Sequence, residues 1–199
     1  MNELEIIRHQ LRTEQTHAAQ VADACAAVLG SPRPVAASPA GLQEFREACV
    51  AYLVWVLARF EERDQSLAER LSSLAPRAAG SPRALDAGAA SALLASPGSS
   101  REALARLEAA LTAPSPPGGD AAQAAQAWRE FARFFDTAWS PRRIALDALL
   151  AHLPAVADWR AVCAIDADSI LDERARFARV TGALPEGTAL RAPAGREAR

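Results

Sequence analysis

The residues of this chain that could do chemistry are acids, with one histidine, that interrupt otherwise apolar helical stripes. Glu14 falls between Leu11 and Ala18 on a seam of 4-3 apolar spacing, and His17 follows one turn later on the same side. Glutamate and histidine at i and i+3 project from adjacent turns and can both reach one ion. On a second stripe Asp64 lies between Phe60 and Leu67, with Glu61 one turn before it on the flank. A third stripe carries Asp166 between Cys163 and Ile170, then Glu173 between Ile170 and Phe177. Carboxylates turned into a helical interior are costly unless they are paired or bound to a metal. In a first reading, Glu14, His17, Asp64, Asp166 and Glu173 form a metal site, because several helices pointing such groups inward is how carboxylate centres are built. Oxygen donors with one imidazole suit iron or manganese better than copper or a soft thiophilic ion. In a second reading no metal is needed. Arg59, Arg63 and Arg174 flank the acids, Arg142 and Arg143 follow on a third helix, and guanidinium forks would satisfy the carboxylates.

The elements that must position these groups are helices. The first runs from about Asn2 to Leu29 and carries Leu4, Ile7, Leu11, Ala18, Val21, Cys25 and Val28 on one stripe. Gly30 closes it, and Ser31-Pro32-Arg33-Pro34 forbids continuation. Ser38-Pro39 reopens helix in an N-cap and N1 arrangement, and the stripe is Leu42, Phe45, Cys49, Leu53, Val56, Phe60, Leu67 and Leu71. Residues 73–98 hold the steps Ala75-Pro76, Ser81-Pro82 and Ser96-Pro97, which predict an irregular connection with a short helix near Leu85–Leu94. A modest helix over Arg101–Leu111 shows Leu104, Leu107 and Leu111 on one side. Pro114 to Gly119 then breaks the chain. From Asp120 a longer helix presents Trp128, Phe131, Phe135 and Ala138, with a kink or restart at Ser140-Pro141 and an end at Pro154. A last long helix is expected over about Ala157–Val180, and residues 183–199 are expected to be a disordered tail. The sum is an all-α, four-helix bundle. It forms one domain over residues 1–182, with a Pro/Ala/Gly/Ser-rich crossover over about 73–118 between the second and third long helices.

Composition narrows the function classes. Alanine supplies 49 of the 199 residues and aromatic residues 6%, which favours helix. Every one of the 22 basic residues is arginine, so Schiff-base and lysine general-base chemistry and a P-loop lysine are excluded. A net charge of −2 argues against a nucleic-acid partner. No apolar run reaches the length of a membrane span, and an acidic start, Met1-Asn2-Glu3-Leu4-Glu5, is unlike a signal peptide, so a cytoplasmic protein is expected. Cys25, Cys49 and Cys163 fall on core faces with no closely spaced pair of the kind zinc uses, and read as small buried hydrophobes. His9 and His152 read as surface residues and the four tryptophans as packing. No nucleophile elbow or glycine-rich phosphate loop is present, which ranks an enzyme last.

Within this frame the string Tyr52-Leu53-Val54-Trp55-Val56-Leu57-Ala58-Arg59-Phe60-Glu61-Glu62 resembles the second helix of the hemerythrin-like, or HHE cation-binding, family. The closing segment from Asp158-Trp159-Arg160 through Asp168 to Glu173 is similar to that family's last helix. The resemblance covers residues 1–72 and 120–182, and it implies a four-helix bundle around an iron centre. It also implies a degenerate member. His17 stands for the first-helix histidine, but Arg59 and Arg63 lie where a histidine and a bridging glutamate are expected, with Asp64 adjacent. Arg142 and Arg143 occupy the region of the third-helix histidines, Asp168 replaces another, and Glu173 keeps an acidic ligand type. Three histidines cannot make the family's oxygen-carrying set. A ferritin-like site is a further analogy, with Glu14-x-x-His17 present once and Glu61-x-x-Asp64 as an oxygen-only counterpart. The resemblance implies metal handling or redox sensing through the altered site. The alternative is a metal-free scaffold or interaction module with a buried arginine–carboxylate network, binding a protein partner or a second copy through the 73–118 insertion or the tail.

Overall fold

A computed structural model describes residues 2–31, 37–78, 99–112 and 120–190, and among these there are helices and connections but no strand. Helix α1 spans Glu3–Val28. A capping box opens it: Asn2 Oδ1 accepts the Glu5 N–H at 2.9 Å and Glu5 Oε2 accepts the Asn2 N–H at 2.7 Å. At its end the N–H groups of Leu29 and Gly30 both reach the Cys25 carbonyl. A side chain at Gly30 would put its Cβ 2.5 Å from the Ala26 carbonyl oxygen, so glycine is required there. Ser38 caps α2, Pro39–Ala78, through its hydroxyl to the Gly41 N–H at 3.0 Å. The helix continues through Ala75-Pro76, where an irregular connection was expected; so near a C-terminus, proline removes one backbone bond without stopping the last turn. The short helix expected near Leu85–Leu94 lies outside the described residues.

Helix α3, Ser99–Thr112, packs on α2 and on α4, Asp120–Phe134. Ala103, Leu104 and Leu107 are core residues, so this part of the expected insertion belongs to the body of the fold. The kink expected at Ser140-Pro141 is a π turn, Phe135–Trp139, that joins α4 to α5, Ser140–Leu150. The Ser140 N–H bonds the Phe135 carbonyl, and Pro141 has no N–H with which to resume the ladder.

The last helix is where periodicity misleads. Instead of one helix there are two, α6 over Val156–Cys163 and α7 over Ala167–Gly182. Ala164 separates them in the left-handed region at φ +48°, its N–H closing α6 on the Arg160 carbonyl at 3.1 Å. After α7 the described chain stays on the body, with Ala183, Leu184 and Leu190 packed against the core; the rest of the segment expected to be a tail lies outside the described residues.

Two apolar clusters form the interior. One unites the later half of α1, the first part of α2, α3, α4 and the π turn. The other unites Ile7 and Leu11 of α1 with Leu67 and Leu71 of α2, Leu146 and Leu150 of α5, and Trp159, Val162 and Cys163 of α6. Each of α1, α2 and α7 passes from one cluster to the other, as does the chain from the π turn into α5. At the crossing level each presents a charged residue: Glu14 between Leu11 and Ala18, Arg63 and Asp64 between Phe60 and Leu67, Arg143 between Trp139 and Leu146, and Glu173 between Ile170 and Phe177.

Candidate functional site

This polar layer is the candidate site. Glu14 is fully buried, and the Arg63 guanidinium grips both its oxygens, Nη1 on Oε2 and Nη2 on Oε1, the latter at 3.2 Å. The remaining Arg63 donor, Nε, bonds the Cys163 carbonyl at 2.7 Å. Gln10 adds an amide at 3.4 Å from Glu14 Oε1, and Arg59 stands off at 3.8 Å. Burial and the neighbouring Arg63 charge both pull Arg59 below its ordinary value, so the two cations share one carboxylate at a cost. A parallel arrangement holds Asp64. Arg143 binds it through both terminal nitrogens, with Nη1 2.7 Å from Oδ1, and Arg142 approaches Oδ2 to 3.5 Å.

Arg143 Nε is buried with no hydrogen-bond partner among the described residues. Arg143 also lines, with Arg63, Asp64, Asp147 and Gln15, a cavity of about 20 Å³, enough for a single water. Burial pushes the Asp147 carboxyl above its ordinary value, although the Gln15 amide donates to both its oxygens at 3.2 Å and Arg143 acts in the same lowering direction. A carboxyl raised in the folded state gives stability at acid pH that is lost as pH rises through the folded value. Asp147→Asn is therefore expected to raise Tm at neutral pH, with the gain over wild type disappearing below about pH 4. Melting curves of the pair across that range check this. A gain independent of pH would show that the carboxylate charge is not penalised.

The third constellation is built on Glu173, which is fully buried. Its Oε1 accepts the Tyr52 hydroxyl at 2.9 Å and lies 2.7 Å from His17 Nδ1. The imidazole stacks flat on Phe177, with centroids 3.5 Å apart and planes 4° from parallel. Burial, then the charge and hydrogen bond of Glu173, raise Tyr52 far above its ordinary value, so the phenol stays a donor. Glu173 Oε2 is buried without a partner among the described residues.

The fold thus brings Glu14, His17, Asp64 and Glu173 to one level of the interior, but pairs Glu14 with Arg63, Asp64 with Arg143, and His17 with Glu173. Asp166 is not among them. It is exposed and is the N-cap of α7, its Oδ1 accepting the Ser169 N–H at 2.8 Å; the break at Ala164 turned the expected interior position into a helix start. The Ser169 hydrogen bonds hold the Asp166 carboxyl below its ordinary value. Asp168 and Arg174 are exposed as well. Among the described residues no group of three or more His, Cys, Asp or Glu side chains is arranged to hold a metal ion, and the five expected ligands do not fit one as they stand. Tyr52 lies among apolar residues, so its spacing does not set it apart as a site residue; being the one tyrosine of the chain is its single mark. Compared with models of known protein families, with curated proteins and with solved structures, the chain matches none.

Proposed function

We propose that this chain is a hemerythrin-like four-helix bundle whose interior arginine–carboxylate pairs stand at the level of a metal centre, and that it works as a metal-free scaffold or protein-interaction module. Its four members are α1, α2, the α4–π–α5 limb and the α6–α7 limb. The observation that carries this reading is the pair of bidentate forks, Arg63 on Glu14 and Arg143 on Asp64. A fork–fork pair occupies both oxygens of the carboxylate and supplies the countercharge that burial demands, which a cation would otherwise have to provide. A second reading, iron or manganese bound beside His17 and Glu173, draws on the unpartnered Glu173 Oε2.

Elemental analysis of protein purified without an affinity tag separates the two, before and after reconstitution with iron(II) and manganese(II). We expect less than about 0.1 equivalent of metal, and helicity and melting unchanged by a chelator. Near-stoichiometric iron or manganese that disappears in a Glu14→Ala/Glu173→Ala double variant would overturn the metal-free reading and favour the second.

A further inference from the structure

Helix α1 packs on α4 and on α6, while α5, which follows the π turn, stands off from it. Between them lies a cleft of about 210 Å³. Buried Leu11, Leu150 and Trp159 make its floor, and exposed Arg8 and Arg12 stand over it from successive turns of α1. The Arg8 guanidinium carbon is 4.9 Å from the centroid of the Trp159 ring. That stacking holds the group in the cleft and leaves its in-plane N–H donors unused. Neither Arg8 nor Arg12 makes a hydrogen bond or an ion pair among the described residues, whereas Arg63, Arg70, Arg143 and Arg160 each hold an acid. The one acid lining the cleft is Asp147, which attracts Arg12 but has both oxygens on the Gln15 amide at 3.2 Å. Like charges at i and i+4 repel, so a pair of cations over an apolar floor is left short of an anion.

We propose that this cleft binds a small organic acid, with its carboxylate on Arg8 and Arg12 and its apolar body on Leu11 and Leu150 against Trp159. Two guanidiniums offer a carboxylate parallel N–H donors, and the apolar floor rewards a hydrocarbon body that a bare inorganic anion lacks. The cleft shares Leu11, Asp147 and Leu150 with the small cavity lined by Arg63 and Arg143, so the polar layer lies directly behind it. Asp147 stands between the two and sets the inner limit of the site, because its charge opposes an anion that moves deeper.

The test is calorimetric titration of the full chain with 3-phenylpropionate at low ionic strength. We expect one saturable site with a Kd of about 1 mM or tighter, weakening as salt is raised. Its uncharged amide and inorganic phosphate, which lack the charge and the body respectively, should each bind at least about tenfold more weakly. Arg8→Gln and Arg12→Gln should each weaken the acid about tenfold, while Arg174→Gln, an exposed arginine on α7, should leave it unchanged. Asp147→Asn should tighten it by roughly two- to fivefold, which a merely structural role for Asp147 would not produce. The acid should also shift the indole N–H resonance of Trp159, assigned from its loss in Trp159→Phe. Absence of saturable binding, an amide that binds as tightly as the acid, or equal affinity in the Arg8 and Arg12 variants would each overturn the proposal. So would the same loss in Arg174→Gln, which would show attraction by surface charge alone.

Discussion

Replacing Arg63 by methionine is expected to destabilise the protein by about 3–5 kcal/mol, because it leaves a fully buried carboxylate without its countercharge. For a chain of this size that is a fall in Tm of roughly 6–20 °C. Three hydrogen bonds go with the guanidinium, two to Glu14 and one to the Cys163 carbonyl at the end of α6. Arg59 does not replace it, since its ion pair with Glu14 is 3.8 Å long and its side chain also serves the Ala164 carbonyl at 3.2 Å. Arg59→Met should accordingly cost only about 1 kcal/mol. The double variant Glu14→Gln/Arg63→Met removes charge and countercharge together, and keeps an acceptor for Gln10. It is expected to recover most of the loss, to within about 1.5 kcal/mol of wild type, since a buried pair contributes far less than one of its members left alone. Chemical denaturation of the four proteins completes the cycle. If the Arg63→Met and Glu14→Gln costs simply add, the pair is not coupled and the layer is not an electrostatic unit.

That cycle probes the part of the fold most legible in the sequence. Glu14, Asp64 and Glu173 each broke an apolar stripe, and each break lies where a helix crosses from one apolar cluster to the other. Periodicity could place the acids inside because burial follows helical face. It could not say what they meet there. Arg63 flanking the acids and Arg143 on the third helix were both expected as fork partners, but not which carboxylate each takes, since a long guanidinium side chain reaches across a helix interface from a position that its Cα spacing does not mark. Asp166 failed for the opposite reason. The seven-residue step from Cys163 to Ile170 mimicked an unbroken stripe, while the chain turned at Ala164, a residue type that gives no warning of a left-handed conformation. Asp166-x-x-Ser169 carried the correction, as a capping signal at the start of a new helix.

Phe60→Ala is expected to cost about 3–5 kcal/mol when made alone, and to do so partly through the ion pairs. The ring is 2% exposed and meets Trp139 edge-on, at 5.2 Å and 85°. The guanidinium carbons of Arg63 and Arg143 lie 5.3 and 5.1 Å from its centroid, so one ring touches both forks. A guanidinium laid against an aromatic face keeps its in-plane N–H groups free for carboxylates, which is the geometry that Glu14 and Asp64 require. Removing the ring opens a void beside the small cavity that Phe60 already lines and frees both arginines to shift. Phe60→Leu refills most of the volume without the flat face, and should cost about half as much. The informative comparison is Phe60→Ala with Arg63→Met. If the ring only fills space, the two costs add to within about 0.5 kcal/mol. If it orients the forks, the double variant loses about 1–2 kcal/mol less than that sum, because the second change removes a contact the first has already loosened. The aromatic floor and the two ion pairs would then be one cooperative layer, formed or lost together, at the level where α1, α2, α7 and the chain from the π turn into α5 exchange one apolar cluster for the other.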